Sequence, residues 1–224
     1  MPAAAPPETP APPSSASSSR LRRLVELDET WSLRIHEACR GVPRPVLKAL
    51  EISGDGRFWF PLPIALLVAA RSSPLLTPLL LALLAGNFLD LLLVGLVKSL
   101  VRRPRPVYNK GMYLTFSADR WSFPSGHSSR VVFIAIFLHL AAESLREAIA
   151  ASGGPDLWWR WVEVLSVYGF EAGELFLLVV FMWSAATSIS RVLLGRHFAF
   201  DVIAGACLGV LEAIIVFIFY SWIR

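Results

Sequence analysis

Long apolar stretches dominate this sequence and restrict what it can fold into. Strongly apolar runs cover residues 74–101, 124–142, 173–194 and 198–222, and each approaches or exceeds the roughly 20 residues that a helix needs to cross a bilayer. None shows the alternation of polar and apolar side chains that is typical of barrel strands. We therefore predict an all-α, integral-membrane bundle of about five to six transmembrane helices.

Composition divides the rest of the chain. Residues 1–19 consist mostly of Ala, Pro, Ser and Thr, which bury too little apolar surface to fold, so a disordered tail is predicted. Residues 20–53 mix apolar and charged side chains, which predicts amphipathic helices at the membrane interface. Residues 54–224 then form the transmembrane domain. Within it, the apolar stretches 58–70 and 157–170 are short for a span, so the number of spans stays open.

The location is predicted to be the endoplasmic reticulum membrane. A plastid membrane is the alternative, because the Ser- and Ala-rich tail that runs into Arg20, Arg22 and Arg23 resembles a transit peptide, although its proline content does not. Basic residues lack the aromatic interleaving typical of nucleic-acid binding, so no nucleic acid partner is expected. The two cysteines, Cys39 and Cys207, are too few to indicate a disulfide framework.

Some polar and small residues are predicted to have structural roles. Asp90 lies inside an apolar run, where a carboxylate is costly unless paired, and a hydrogen bond to a neighbouring helix is the favoured interpretation. Gly205 and Gly209 are spaced for close helix packing. His36 and His139 belong to no recognisable cluster and are interpreted as structural.

A possible reactive pair lies near the start of the last run. His197 and Asp201 are four residues apart, so on a helix they share one face and can hydrogen-bond. A carboxylate orients an imidazole and fixes its tautomer, which makes it a better base or nucleophile. Arg191 precedes the pair, and its guanidinium could hold a phosphate in front of the imidazole.

Two further segments lie on the same side of the membrane if the runs cross as predicted. Ser125, Gly126 and His127 open the second run, and a helix N-terminus with a glycine and a hydroxyl binds anions. The alternative is an ordinary serine N-cap beside a surface histidine. Lys98 and Arg105 end the first run, where they either contact an anion or simply mark a membrane boundary.

Taken together, the three segments resemble the signature of the type-2 phosphatidic acid phosphatases. The resemblance covers about residues 47–215. It is carried by Lys98-(six residues)-Arg105-Pro106, Pro124-Ser125-Gly126-His127 and Ser190-Arg191-(five residues)-His197-(three residues)-Asp201. The fuller strings at 50–56, 101–106 and 122–127 are similar to the polyisoprenoid diphosphate phosphatase branch, which includes presqualene diphosphate phosphatase.

This resemblance implies a metal-independent enzyme, without a cofactor, that hydrolyses a phosphate monoester or diphosphate on a membrane lipid, a polyisoprenoid diphosphate, phosphatidate or both. It implies that His197 becomes a phosphohistidine, that Asp201 orients it, and that His127 protonates the leaving oxygen and later activates water. The groups implied to bind the phosphoryl oxygens are Lys98, Arg105, Ser125, Gly126 and Arg191.

Other functions remain open at this point. The same intermediate would serve a lipid phosphotransferase, and a basic pocket alone would serve a non-catalytic protein that binds or transports anionic lipids. A vanadate-dependent oxidase fits the pocket but not the membrane composition. The oligomeric state, the lipid tail and the side of the membrane on which the site lies are not predicted.

Overall fold

The computed structural model describes residues 16–69, 74–108, 120–151 and 172–224, and within these ranges the regular structure is helical, without a β-strand. The predicted all-α class is confirmed. The helices are α1 (Ala16–Ala38), α2 (Arg44–Ser53), α3 (Gly56–Trp59), α4 (Pro61–Ala69), α5 (Leu76–Val101), α6 (Gly126–Leu140), α7 (Ala142–Ala151), α8 (Ala172–Leu193) and α9 (Ala199–Ile223).

Helices α5, α8 and α9 are long and apolar enough to cross a membrane, and α6 with α7 forms a fourth candidate that is bent by 71°. They correspond to the four predicted runs, and the integral-membrane class is confirmed. The short stretch 58–70 is present as α3 and α4, which together form an apolar helical segment shorter than a span. The other ambiguous stretch, 157–170, lies outside the described residues.

The bend after α6 differs from the single helix predicted over residues 124–142. Helix α6 ends at Leu140, and α7 turns away from it. Glu143, Arg146 and Glu147 follow the bend, and their charges are costly in hydrocarbon. A change of direction at this point would let these charges leave the apolar layer and so avoid this cost.

The N-terminal segment is helical, as the amphipathic pattern predicts. Helix α1 begins at Ala16, within the stretch predicted as tail, and residues 1–15 lie outside the described part. Helix α2 follows after a short turn, and Asp55 then caps α3 by accepting a hydrogen bond from the amide of Arg57 at 2.8 Å. Helices α1 and α2 both pack against α8, and α1 also packs against α9.

The centre of the bundle is the packing of α6 against α9, the most extensive helix contact among the described residues. Gly205 and Gly209 face the α6 backbone so closely that a Cβ would lie 2.4 Å from the Ser125 carbonyl oxygen and 2.2 Å from that of Ser129, respectively. The predicted close packing through these two glycines is therefore observed. On α5, a Cβ at Gly86 would overlap the ring of Phe133, which completes the core.

Charged groups inside the bundle are paired across helices. The Arg130 guanidinium of α6 donates to the Asp90 carboxylate of α5 at 2.6 Å, which is the inter-helix role predicted for Asp90. Next to it, the Ser129 hydroxyl donates to Glu212 of α9 at 3.2 Å. These contacts join α5, α6 and α9 at a depth where an isolated charge would be expensive.

The ends of four helices meet at one face of the bundle. The Ser122 amide, just before α6, donates to the Arg103 carbonyl, just after α5, at 2.8 Å. The Ser125 amide donates to the Asp201 carbonyl of α9 at 2.9 Å. The C-termini of α5 and α8 and the N-termini of α6 and α9 therefore surround a common volume, which the three sequence motifs enter.

Candidate active site

His197 lies in the tight turn between α8 and α9. The amides of Arg196 and His197 both donate to the Arg191 carbonyl, at 2.9 and 3.2 Å, and this folds the turn over the end of α8. Gly195 has a φ of 70°, a left-handed conformation that favours glycine, and a Cβ there would lie 2.8 Å from the Tyr108 ring. His197 therefore precedes α9 instead of sharing a helix with Asp201.

The hydrogen bonds of His197 define its tautomer. Its Nδ1 lies 2.7 Å from the Ser122 carbonyl oxygen, which only accepts, so Nδ1 carries the proton. Its Nε2 lies 3.2 Å from Nη1 of Arg105, which only donates, so Nε2 presents its lone pair. The expected hydrogen bond from Nδ1 to Asp201 is absent, because Asp201 Oδ2 lies 3.7 Å from Nδ1. The Ser122 carbonyl orients the ring, and the Asp201 carboxylate stands behind it.

Asp201 instead holds the start of α9 together. Its Oδ2 accepts from the Phe198 amide at 2.9 Å and its Oδ1 from Nη1 of Arg103 at 2.8 Å. The Arg103 guanidinium also lies over the Phe198 ring, 4.1 Å from its centroid. Asp201 is thus a buried carboxylate that both caps a helix and places a negative charge next to His197.

Burial lowers the pKa of His197 well below its ordinary value of 6.5, and the positive charges of Arg105, Arg191 and Lys98 lower it further. The imidazole is therefore neutral at pH 7. With Nδ1 protonated, a neutral ring has an unprotonated Nε2, which is the form that can attack an electrophile.

The α6 N-terminus supplies the second predicted motif. The Ser125 side chain accepts from the Ser128 amide at 3.4 Å and so acts as the N-cap. Its hydroxyl hydrogen is still able to donate. Among the described residues, a Cβ at Gly126 would meet only Val94 within 4 Å, so their side chains leave the backbone on this side accessible. The alternative of a simple serine cap is observed, and it is compatible with an anion at the same helix end.

His127 is half-buried and faces Asp55. Its Nε2 lies 3.9 Å from Asp55 Oδ2 and makes no hydrogen bond with the described residues. Asp55 is itself held by Arg57, through Nε at 3.1 Å and Nη2 at 3.0 Å. His127 also lies within electrostatic range of His197 and Lys98, so the two predicted catalytic histidines share one site.

Arg191 is fully buried and contacts a carboxylate that the sequence did not indicate. Its Nη1 lies 3.1 Å from Glu51 Oε1, which also lies 3.2 Å from Nε of Arg196. Lys48 contacts the other oxygen, Oε2, at 2.6 Å. Burial opposes ionisation of Glu51, but Arg191, Lys48 and Arg196 together lower its pKa to about 2. Glu51 therefore carries a full negative charge that fixes Arg191 in place.

The structure brings all of the predicted site residues to one end of the bundle. Lys98 is 6% exposed and acts electrostatically on both histidines. In the described ranges, no group of three or more His, Cys, Asp or Glu side chains is placed to hold a metal ion. The donors that converge here are cationic or neutral, a set suited to an anion such as a phosphoryl group.

Several residues of the site were not identified from the sequence. Glu51, Asp55 and Ser122 come from turns and a short helix whose position depends on tertiary packing. Arg103 lies in a run of basic residues in which only Lys98 and Arg105 match the motif spacing. A signal was present for these two acids. Glu51 precedes a Gly-Asp-Gly turn whose aspartate is Asp55, and two acids four residues apart are unusual next to an apolar segment.

Sequence comparison identifies relatives of the chain. Residues 75–224 match the family model of the PAP2 superfamily. The chain is also 39% identical over 193 residues to a probable lipid phosphate phosphatase beta of Arabidopsis thaliana, and the alignment spans 85% of this chain and 87% of the relative.

A solved structure shares the fold. A transmembrane PAP2-type phosphatidylglycerolphosphate phosphatase from Bacillus subtilis superimposes with a TM-score of 0.65 at 24% identity, over 90% of this chain and 88% of that one. LpxE of Aquifex aeolicus overlaps with a TM-score of 0.49 at 24% identity, over 82% of this chain and 93% of that one.

Proposed function

Because the chain belongs to the PAP2 superfamily, we propose that it releases phosphate from a membrane lipid through a phosphohistidine intermediate on His197. The family match confirms the resemblance to this family that the three motifs indicated. The observation that carries the mechanism is the unprotonated Nε2 atom of His197, which lies 3.2 Å from Nη1 of Arg105 within a cluster of cations. A neutral imidazole surrounded by phosphate-binding groups is suited to attack phosphorus.

In the first step, Nε2 of His197 forms a bond to the terminal phosphorus, and the bond from that phosphorus to the leaving oxygen breaks. The leaving oxygen is the lipid oxygen of a monoester or the bridging oxygen of a diphosphate. The leaving oxygen takes a proton from His127. His127 must carry a proton for this step, and the bound phosphoryl group and Asp55, 3.9 Å from its Nε2, place negative charge beside the ring. Charge on the phosphoryl oxygens is stabilised by five groups, namely Lys98, Arg105, Ser125, the Gly126 amide and Arg191.

In the second step, His127 accepts a proton from water while the water oxygen attacks phosphorus. The bond between phosphorus and Nε2 breaks, inorganic phosphate leaves and His197 returns to its neutral tautomer. The Ser122 carbonyl, 2.7 Å from Nδ1, and the Asp201 carboxylate, 3.7 Å from it, both favour the positive charge that the ring carries as phosphohistidine. Neither step calls for a metal ion or a cofactor, because fixed cations neutralise the phosphoryl charge.

We propose a polyisoprenoid diphosphate, phosphatidate or both as substrate. The similarity to the probable lipid phosphate phosphatase of Arabidopsis thaliana supports a lipid monoester as substrate. The sequence at 50–56, which contains Glu51 and Asp55, supports a polyisoprenoid diphosphate. The proposed location is the endoplasmic reticulum membrane, with a plastid membrane as the alternative.

Phosphate release by the purified protein in detergent tests this function. With EDTA present, we expect turnover of farnesyl diphosphate, phosphatidate or both, and their relative kcat/KM values identify the substrate class. An added alcohol acceptor distinguishes hydrolysis from transfer, since a phosphotransferase forms the new phosphate ester in place of inorganic phosphate. No release from either lipid under these conditions would contradict the proposal.

The pH dependence of kcat/KM reports on the nucleophile. Since burial and nearby cations lower the pKa of His197 below 6.5, the attacking form persists as the pH falls below neutrality. We expect activity to be lost only as the pH drops through that lowered value, so the acid limb has its midpoint below pH 6.5. A midpoint at or above pH 7 in a profile measured with both lipids would contradict this assignment.

A further inference from the structure

Helix α1 lies outside residues 75–224, which the family model matches, yet it contacts both ends of the turn that carries His197. Asp28, Ser32 and His36 are four residues apart in sequence, so they form one stripe along the helix. Asp28 and Ser32 are buried, at 2% and 0% exposure. These two polar residues are buried, whereas most of the other described residues of α1 are exposed.

At one end of the turn, the stripe caps α9. The Phe200 amide donates to Asp28 Oδ1 at 3.0 Å and the Ala199 amide donates to Ser32 Oγ at 2.9 Å. These amides belong to the first turn of α9, where backbone donors have no partner within the helix. Since α9 carries Asp201, two side chains from α1 fix the start of that helix.

At the other end, the stripe holds the C-terminus of α8. Nδ1 of His36 donates to the carbonyl of Leu193, the last residue of that helix, at 2.8 Å. The His36 ring packs on Tyr108 at a centroid distance of 4.8 Å, and Tyr108 lies against Gly195 in the turn. The turn from Leu194 to Phe198 is therefore fixed from both sides by a single helix.

The stripe also reaches Asp201 through a shared arginine. Nη1 of Arg103 lies 2.7 Å from Asp28 Oδ2 and 2.8 Å from Asp201 Oδ1. Both carboxylates are fully buried. One guanidinium thus divides its charge between a carboxylate of α1 and the carboxylate beside the nucleophile.

We propose that Asp28 and Ser32 of α1 are positioning residues of the active site: Ser32 fixes the turn that holds His197, and Asp28 limits the neutralisation of Asp201 by Arg103. The inference rests on the role proposed for His197. Without the charge of Asp28, Arg103 neutralises Asp201 alone. The surroundings of His197 become more positive, and its imidazole becomes a weaker base and nucleophile.

Other charged groups also contribute to the net charge around the imidazole of His197. Lys98 on α5, Arg105 after α5 and Arg191 on α8 are positive, and Asp201 on α9 is the negative group nearest to Nδ1. Since cations predominate, the loss of one nearby negative charge is not compensated. Asp28 is the only group of α1 in contact with Arg103 among the ion pairs of the described residues.

Asp28→Asn tests the electrostatic part in the full-length protein. The substituted amide oxygen still accepts from the Phe200 amide, and the amide nitrogen takes the place of Oδ2 beside Nη1 of Arg103. The cap is therefore retained while the charge and the ion pair with Arg103 are lost. We expect the acid midpoint of kcat/KM to move down by about half a pH unit and kcat to fall about threefold, the factor to which half a pKa unit corresponds. The matched control is Glu26→Gln, the same chemical change at an exposed position of α1, which should leave both unchanged.

Ser32→Ala tests the positioning part, because it removes a cap without changing charge. We expect a lower kcat with an unshifted midpoint, and recovery in Ser32→Thr, which restores the hydroxyl. If Asp28→Asn folds and keeps both the wild-type kcat and midpoint, the electrostatic role is wrong. If Ser32→Ala keeps the wild-type kcat, the positioning role is wrong, and this holds even where Asp28→Asn fails to fold.

A readout that does not need turnover separates this inference from the proposed function. The imidazole pKa of His197, measured by NMR of histidine-labelled protein in micelles, should be lower in Asp28→Asn than in the wild type and in Glu26→Gln. Equal values would overturn the inference even if the enzyme is an active phosphatase. A lower value in a protein that releases no phosphate would sustain the coupling and reject the proposed function instead.

Discussion

His197→Ala is expected to reduce lipid phosphate release by at least about 10⁴-fold, because the substitution removes the atom that forms the covalent bond. The remaining cations would still bind the phosphoryl group, so substrate binding should change much less than kcat. Steady-state kinetics with EDTA present measures this effect. Acid-labile, alkali-stable radiolabel from a phosphate-labelled lipid should appear on the wild-type protein and be absent from the variant.

The control for this substitution is His139→Ala. His139 is exposed on α6 and packs on Phe181 with a ring centroid distance of 5.7 Å, at the end of the helix remote from His127. Its removal should leave kcat within about twofold of the wild type. A His197→Ala protein that keeps more than a hundredth of wild-type turnover would reject the phosphohistidine mechanism. If the wild-type protein binds the lipid but does not turn it over, the chain is instead a non-catalytic lipid-binding protein.

Gly209→Val is expected to destabilise the protein strongly. A Cβ at Gly209 would lie 2.2 Å from the Ser129 carbonyl oxygen and 2.9 Å from the Phe133 amide nitrogen, both of which are backbone atoms of α6. Helix α9 would have to move away from α6, at a cost of about 3 kcal/mol. Thermal unfolding in detergent should show a midpoint lower by about 10 °C. Since α9 carries Asp201, activity should fall as well.

Gly95→Ala provides a control on another span, where a side chain is added at a glycine that has room for it. Apart from the backbone of α5 itself, no atom of the described residues lies within 4 Å of a Cβ built at Gly95. The methyl group therefore meets no described neighbour, and alanine is the better helix former. We expect an unfolding midpoint equal to or slightly above that of the wild type. A Gly209→Val midpoint close to that of Gly95→Ala would mean that α6 and α9 are less tightly packed than the structure indicates.

The sequence predicted the fold class, and it indicated most residues of the candidate site, because both depend on local patterns. Apolar runs of bilayer length define α5, α8 and α9 without reference to any partner. The motif residues lie at run ends, so their meeting at one face follows from counting crossings. The bend after α6 was not predicted, because the apolar run ends gradually and only three charges mark where α7 turns away.

The details of the site depended on contacts between distant segments. His197 and Asp201 were expected to hydrogen-bond on a shared helix, but a turn built on Gly195 separates His197 from α9 and turns its Nδ1 towards the Ser122 carbonyl. A backbone carbonyl that accepts a hydrogen bond in this way cannot be predicted from the pattern of side chains. Glu51 and Asp55 likewise reach the site only because α2 and α3 pack across the helix ends.

The sequence by itself determined that this protein is a helical membrane protein with a cationic, histidine-containing face, since hydropathy and motif spacing are properties of single segments. Only the tertiary structure decided which groups hold His197. The tautomer of His197, the clamp of Glu51 on Arg191 and the sharing of Arg103 between Asp28 and Asp201 each join residues that are distant in the chain. Their physical cause is the requirement that buried charges and helix ends find partners, and packing determines which partners are within reach.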